Sequence, residues 1–212
     1  CKNVLQEGCY DSVEDIDLLM KQALKSVNSY VLSAWSHIYK RNFLIENNLT
    51  FVSERKVGSE DFLFNLEALC FAKKVYVVND ACYYYDLRSG SLTQKYRESL
   101  PKQYVSLYRS FMNFIENSHA TNKHIDEFQN MFLWQLIFGT CFPNEYRKTE
   151  NHSVADGRVR VKEICGMNEV QAIARKQLKT AKKPIKILYL SAFIFKQEWI
   201  FFWIFVGKKK NS

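Results

Sequence analysis

Residues Ser59 to Lys74, SEDFLFNLEALCFAKK, decide how the chain is read. Ser59 followed by Glu60 and Asp61 has the composition of a helix start. A small polar side chain suits the cap position, and negative charge is favoured beside the unpaired N–H groups of a first turn. Phe62, Leu63, Leu66, Leu69 and Cys70 then recur on one side at helical spacing, which predicts a helix over 59–74. The adjacent carboxylates have two readings. They serve as an acidic cap, or one is held to accept a proton from an attacking hydroxyl. Position alone leaves both open.

On the N-terminal side, Ser12 to Asn28 opens with Ser12 and Asp15 three residues on, a capping-box-like start. Ile16, Leu19, Met20, Ala23, Leu24 and Val27 follow at helical spacing. A mixed apolar stretch then ends in Asn47-Asn48, and LTFVS (49–53) has the composition of a short strand. On the C-terminal side, VYVVN (75–79) and CYYYDLR (82–88) read as strands, rich in β-branched and aromatic residues, before the turn-like Ser89-Gly90-Ser91. Residues 100–117 and 124–142 read as amphipathic to buried helices, the second ending near Pro143. Residues 144–158 read as a polar linker and 159–183 as a basic helical region.

Composition narrows the class. Apolar residues make up 47% and charged residues 25%, a globular profile, and only 3 Pro and 7 Gly punctuate the chain, which favours helices with short connections. The net charge of +8 is uneven: residues 151–212 hold 13 of the 30 Lys/Arg but 4 of the 22 Asp/Glu. The six cysteines form no CxxC pair and have no His beside them at metal-ligand spacing. They read as reduced thiols of a cytosolic protein, which makes the sequons at Asn48 and Asn151 irrelevant. The chain opens on Cys1 rather than Met, so it reads as a piece of a longer one.

The last segment, Ile185 to Val206, has 22 residues, about the length that spans a bilayer. Lys196, Gln197 and Glu198 fall near its middle, where charge is costly. Two segments lying in a membrane interface, rich in Trp and Phe and closed by Lys208-Lys209-Lys210, fit better than a span. Docking on the protein's own core is the other reading. Nucleic-acid binding is disfavoured, because these aromatics cluster in an apolar tail instead of interleaving with cations.

Around the acid pair stand three ordered blocks. Upstream is Ala34-Trp35-Ser36-His37-Ile38-Tyr39-Lys40-Arg41-Asn42-Phe43-Leu44. Glu60-Asp61 follows, and then Tyr83-Tyr84-Tyr85, Arg88 and Gly90-Ser91-Leu92-Thr93. Over residues 30 to 95 this set resembles the second half of a family 2 glycosyltransferase of bacterial surface-polysaccharide type. The resemblance implies an α/β fold class: a partial GT-A (Rossmann-like) domain, mostly helical with a few short strands, followed by a helical C-terminal extension. It implies three parts: the transferase portion over 1–95, a helical extension over 96–143, and a basic, aromatic-rich tail over 144–212.

By the same resemblance Asp61 matches the general base that deprotonates an acceptor hydroxyl, and Glu60 is its partner. Trp35 matches the aromatic that packs on a flat sugar face. His37 stands where the family usually has Lys, and Arg88 and Ser91 belong to a loop that meets the nucleotide diphosphate. The implied substrates are a nucleotide-diphosphate sugar and a glycan or lipid-linked acceptor. The implied location is the cytoplasmic face of the cell membrane, held peripherally by the tail on an anionic surface. A divalent metal (Mg or Mn) is expected for the complete enzyme, with ligands mostly outside this chain, so the portion alone is expected to be inactive. The sole D-x-D spacing, Asp15-Ile16-Asp17, lies in a helix turn rather than after an apolar strand. The alternative is a non-catalytic membrane-associated interaction protein in which Glu60-Asp61 is only a cap.

Overall fold

Helix α1 (Val13–Lys25) begins where the Ser12/Asp15 spacing predicts. The Asp15 N–H donates to Ser12 Oγ (3.1 Å) and the Ser12 N–H donates to Asp15 Oδ2 (3.2 Å), so each residue satisfies an N–H the helix itself leaves unpaired. The structure is a computed structural model describing residues 5–25, 32–80, 83–84, 95–118 and 123–207. It is mostly helical, as expected, and its chain contacts fall into two units. The first comprises residues 1–91 with 106–128, and the second 92–105 with 129–212.

In the first unit, α1 turns its buried Leu19, Met20, Ala23 and Leu24 toward α4 (Glu60–Phe71). Between them lie a 3₁₀ turn (Ala34–Ser36), α2 (Arg41–Glu46) and α3 (Glu54–Val57). Two left-handed residues set the connections. Asn48 (φ 52°) turns the chain after α2, so that the Leu49 N–H donates to the Leu44 carbonyl at 2.9 Å. Gly58 (φ 75°) closes α3 and aims the chain into α4, a conformation glycine adopts without Cβ strain. Phe64, Leu49 and Ala68 form a core with Tyr39, Phe43, Leu44 and Phe71 packed against it.

Strand β1 (Gly8–Tyr10) pairs antiparallel with β2 (Val75–Val77), Cys9 opposite Tyr76. β2 lies inside the expected 75–79 strand, but β1 was not expected. The LTFVS strand does not form. Phe51 instead lays its ring on Phe64 (centroids 3.9 Å apart, 12° between planes), so residues 49–53 serve the α4 core rather than a sheet. The expected strand at 82–88 falls mostly outside the described residues, and Tyr83 and Tyr84 belong to no strand. Among the described residues the sheet is this one two-stranded ribbon; the GT-A architecture is not carried by it.

Helix α5 (Leu100–Asn117) matches its expected bounds and contributes to both units, with Leu100, Tyr104 and Val105 buried in the second and Leu107, Phe111 and Ile115 in the first. α6 (Ile125–Met131) runs directly into a π-helical stretch (Phe132–Cys141) and then α7 (Phe142–Glu145). The helix therefore passes Pro143 instead of ending at it. Proline inside a helix lacks its N–H and presses on the carbonyl four residues back. Here it falls in the first turn of α7, after the widened π register, where it is tolerated.

The second unit continues with α8 (Val154–Cys165), α9 (Asn168–Leu178), α10 (Pro184–Ile194) and α11 (Glu198–Phe205). The expected linker 144–158 is instead part of the core's frame. Ser153 and Asp156 form a capping box for α8, and Asn144, Glu145 and His152 are buried. Gly157 sits so close to the Glu145 carbonyl that a Cβ would lie 2.1 Å from its oxygen. Phe142, Phe193 and Phe201, all fully buried, pack with centroids 4.8–5.5 Å apart. Aromatic pairs in this range add to area burial. α10 and α11 are separated at Lys196 (φ 54°), and the Gln171 amide Nε2 donates to the Phe193 carbonyl (2.9 Å) and the Cys165 carbonyl (2.6 Å), satisfying two helix ends at once. Among the described residues no helix is long and apolar enough to cross a membrane.

Candidate functional site

The acid pair sits in the first turn of α4, half-buried, at the end of the Gly58 turn. Ser59 occupies the cap position, but its hydroxyl does not accept from the helix. Ser59 Oγ donates to Asp61 Oδ1 at 3.0 Å, and the Phe62 N–H donates to the same oxygen at 2.8 Å. Both bonds fall on Oδ1. The carboxylate, not the serine, thus takes up the α4 end, and Oδ2 takes neither bond.

One turn further, Asn65 is buried and joins two segments. Its Nδ2 donates to the Asp61 carbonyl (2.8 Å), and its Oδ1 accepts the Tyr39 hydroxyl at 2.6 Å. Burial pushes the Tyr39 phenol up to about 12, with the bond to Asn65 opposing and the Asp61 charge adding to the rise. Tyr39 therefore stays protonated and remains the donor. Its ring meets Phe64 edge-on (5.3 Å) and stacks with His37 at 5.7 Å.

His37 Nδ1 lies 2.8 Å from the Ser33 carbonyl and 3.0 Å from Ser36 Oγ. A carbonyl only accepts, so Nδ1 carries the proton. Burial lowers the imidazole below its ordinary value, against the opposing Ser33 bond. The neutral ring in this tautomer offers Nε2 as an acceptor. Trp35, on the 3₁₀ turn packed against α4, stacks one face on Tyr83 (4.9 Å, 25°). Arg88 and Ser91 lie outside the described residues.

Four expected site residues thus share one neighbourhood of the first unit: Glu60 and Asp61 on α4, and Trp35 and His37 on the segment packed against it. Asn65 was not among the expected residues, although its i, i+4 spacing from Asp61 was a signal. Glu67 was also missed. It lies two turns after Glu60 on an otherwise apolar stretch, and burial raises its carboxyl to about 7. Cys70, pushed up to about 12 by burial and by the Glu67 charge, is an inert thiol at neutral pH. Among the described residues Cys9, Cys70, Cys141 and Cys165 are free thiols.

The D-x-D carboxylates are committed elsewhere. Asp15 caps α1, and Asp17 pairs with Lys21 (2.7 Å), Lys123 (2.7 Å) and His124 (2.8 Å). The hydrogen bonds from Lys123 and Lys21 hold Asp17 well below the usual carboxylate range. Among the described residues no three His, Cys, Asp or Glu side chains converge to hold a metal. These residues do not fit the divalent site of a sugar-nucleotide enzyme. Comparison with family models, with curated proteins and with solved structures gives no match.

Proposed function

We propose that the chain is the acceptor-side portion of an inverting glycosyltransferase of the family 2 kind, working at a membrane surface. The observation that carries the reading is the hydrogen-bonded line Tyr39–Asn65–Asp61, which ties the Trp35–Tyr39 segment to the acidic start of α4. A cap alone needs no such line, because Ser59 and the Phe62 N–H already satisfy Asp61 Oδ1 locally.

The chemistry is a single displacement. The acceptor hydroxyl gives its proton to Asp61 Oδ2 while its oxygen attacks the anomeric carbon opposite the diphosphate. The new C–O bond forms as the bond to the diphosphate oxygen breaks, and that electron pair leaves with the diphosphate. Ser59 and the Phe62 N–H fix the aim of the carboxylate, Asn65 holds the Asp61 main chain, and Glu60 orients the acceptor. Neutral His37 accepts a sugar hydroxyl at Nε2, and the indole of Trp35 packs on the apolar side of a sugar ring. The divalent metal implied by the resemblance belongs with the donor-binding half, and proton transfer to Asp61 does not involve it.

The membrane part of the proposal rests on α10 and α11. Phe201 and Phe193 turn into the core, while Phe195, Trp199 and Trp203 are 69%, 50% and 63% exposed. Trp199 and Trp203 are one turn apart on α11, and Lys182, Lys183, Lys186 and Lys196 lie in or beside the same two helices. Exposed indoles flanked by lysines suit the headgroup layer of an anionic bilayer. The transferase reading is tested by transfer from labelled nucleotide sugars by this chain joined to its donor-binding half. The proposal expects a product with inverted anomeric configuration by NMR and a raised acceptor KM for Trp35→Ala. Retained configuration would overturn it.

A further inference from the structure

The exposed face of the β1–β2 ribbon carries a cluster that plays no part in the proposed transfer. Strand alternation turns Cys9 to solvent between half-buried Gly8 and Tyr10, and Tyr76, opposite Cys9, is exposed on the same face. Asp11 and Lys74 each stand two residues along from one member of that pair, so the register brings both to this face. The contacts follow from it. The Cys9 thiol donates to Asp11 Oδ2 (3.6 Å), and Lys74 Nζ donates to the same oxygen (3.3 Å). A thiol and an amine, two nucleophiles far apart in sequence, thus meet at one carboxylate oxygen.

The other described cysteines are placed differently. Cys141 and Cys165 are buried, Cys70 is half-buried, and burial raises all three thiols. Among them Cys9 alone is exposed, within reach of a dissolved reagent. A carboxylate that accepts the thiol proton leaves the sulfur as the attacking atom. Lys74 is the group beside that sulfur able to receive what the sulfur acquires, because an amide is more stable than a thioester. Asp11 first, and the Cys9 sulfur after it, hold the Lys74 ammonium above its ordinary value. Acylation of the sulfur removes its share, so the amine is released more readily once an acyl group is in place.

We propose that Cys9 and Lys74 form a self-acylation site, which takes an acyl group from a thioester and passes it from sulfur to nitrogen. In the first step the Cys9 sulfur attacks the thioester carbonyl. A new C–S bond forms, the old one breaks, and the outgoing thiol takes up the proton that Cys9 gave to Asp11. Lys74 then gives its ammonium proton to Asp11, and so to water, and the amine attacks the Cys9 thioester. The C–N bond forms as the C–S bond breaks, and the second amine proton returns to the Cys9 sulfur. The products are an amide at Lys74 and the original thiol, with nothing oxidised or reduced. The amide removes the Lys74 charge and with it the ion pair to Asp11 across the ribbon. The site stands on the ribbon alone and does not depend on the transferase reading.

The test is incubation of the full chain with acetyl-coenzyme A, followed by peptide mass spectrometry. Acetyl amide is expected to accumulate at Lys74 about tenfold or more faster than at adjacent Lys73, which is also exposed. Cys9→Ser is expected to bring Lys74 down to the Lys73 rate, with the circular dichroism of the chain unchanged. Lys74→Arg is expected to trap the first step, as a thioester at Cys9 that hydroxylamine removes. Equal rates at Lys74 and Lys73, an unchanged Lys74 rate in Cys9→Ser, or no thioester in Lys74→Arg would each overturn the proposal.

Discussion

Asp61 and Glu145 are carboxylates at opposite ends of their helices, and they are held in opposite ways. Asp61 is in the first turn of α4, where the helix end favours negative charge, and two local donors reach only one of its oxygens. Glu145 is the last residue of α7, where the helix end disfavours negative charge, and its exposure is 0%. It is kept there by two groups distant in sequence, Arg160 Nε and the Tyr96 hydroxyl, and by neighbouring Asn144 Nδ2, each 3.2 Å from a carboxylate oxygen. The fully satisfied carboxylate is part of the frame, and the half-satisfied one keeps an oxygen that the proposed function uses. Loss of Glu145 should therefore appear in stability, and loss of Asp61 in turnover.

The largest effect on folding is expected for Glu145→Ala. It takes a buried acceptor from Arg160, Tyr96 and Asn144 and should destabilise the protein by about 3–5 kcal/mol in urea unfolding. Gly157→Ala attacks the same frame from the other side. Its Cβ would meet the Glu145 carbonyl, so α8 must shift, at a cost of about 1–3 kcal/mol. In the first unit Tyr39→Phe removes the bond to Asn65 and should cost about 1 kcal/mol in urea unfolding.

The pH dependence sharpens the same contrast through Glu67. Its folded carboxyl titrates near 7 against an ordinary 4.5, so the folded state holds a proton that the unfolded state has lost between those values. Stability from this group is greatest below pH 4.5 and is lost as pH rises through 7. His37, lowered by burial, acts in the other direction: its contribution is lost as pH falls below 6.5. Glu67→Gln should remove the decline between pH 4.5 and 7 in thermal melts and leave the His37 loss at acid pH. A decline of the same size in the variant would contradict the assignment to Glu67.

Much of the first unit was legible. The Ser12/Asp15 capping box, the acidic start of α4 and both ends of α5 follow from local spacing, and the structure keeps them. What was not legible depends on partners far along the chain. β1 has three residues, and only its pairing with Val75–Val77 makes it a strand. Residues 49–53 carry strand-like composition, but Phe51 finds Phe64 instead of a sheet neighbour. Glu145 looked like part of a polar linker, because nothing within a few residues announces Arg160, Tyr96 or the Gly157 close approach. The π stretch before Pro143 has no local signal beyond the proline itself. In the site, Glu60 and Asp61 were legible from position, whereas Asn65 acquires its role from Tyr39, 26 residues away.

The measurement that bears most directly on the proposed function is Asp61→Asn in the chain joined to the donor-binding half which that proposal calls for, with kcat and thermal melting followed on the same sample. Asparagine keeps the shape and still accepts from Ser59 and the Phe62 N–H at the α4 end, so the melting free energy should change by less than about 1 kcal/mol. The amide cannot take the acceptor proton, so kcat should fall by about 10²–10⁴-fold. Unchanged turnover would contradict the account and leave Asp61 as a helix cap.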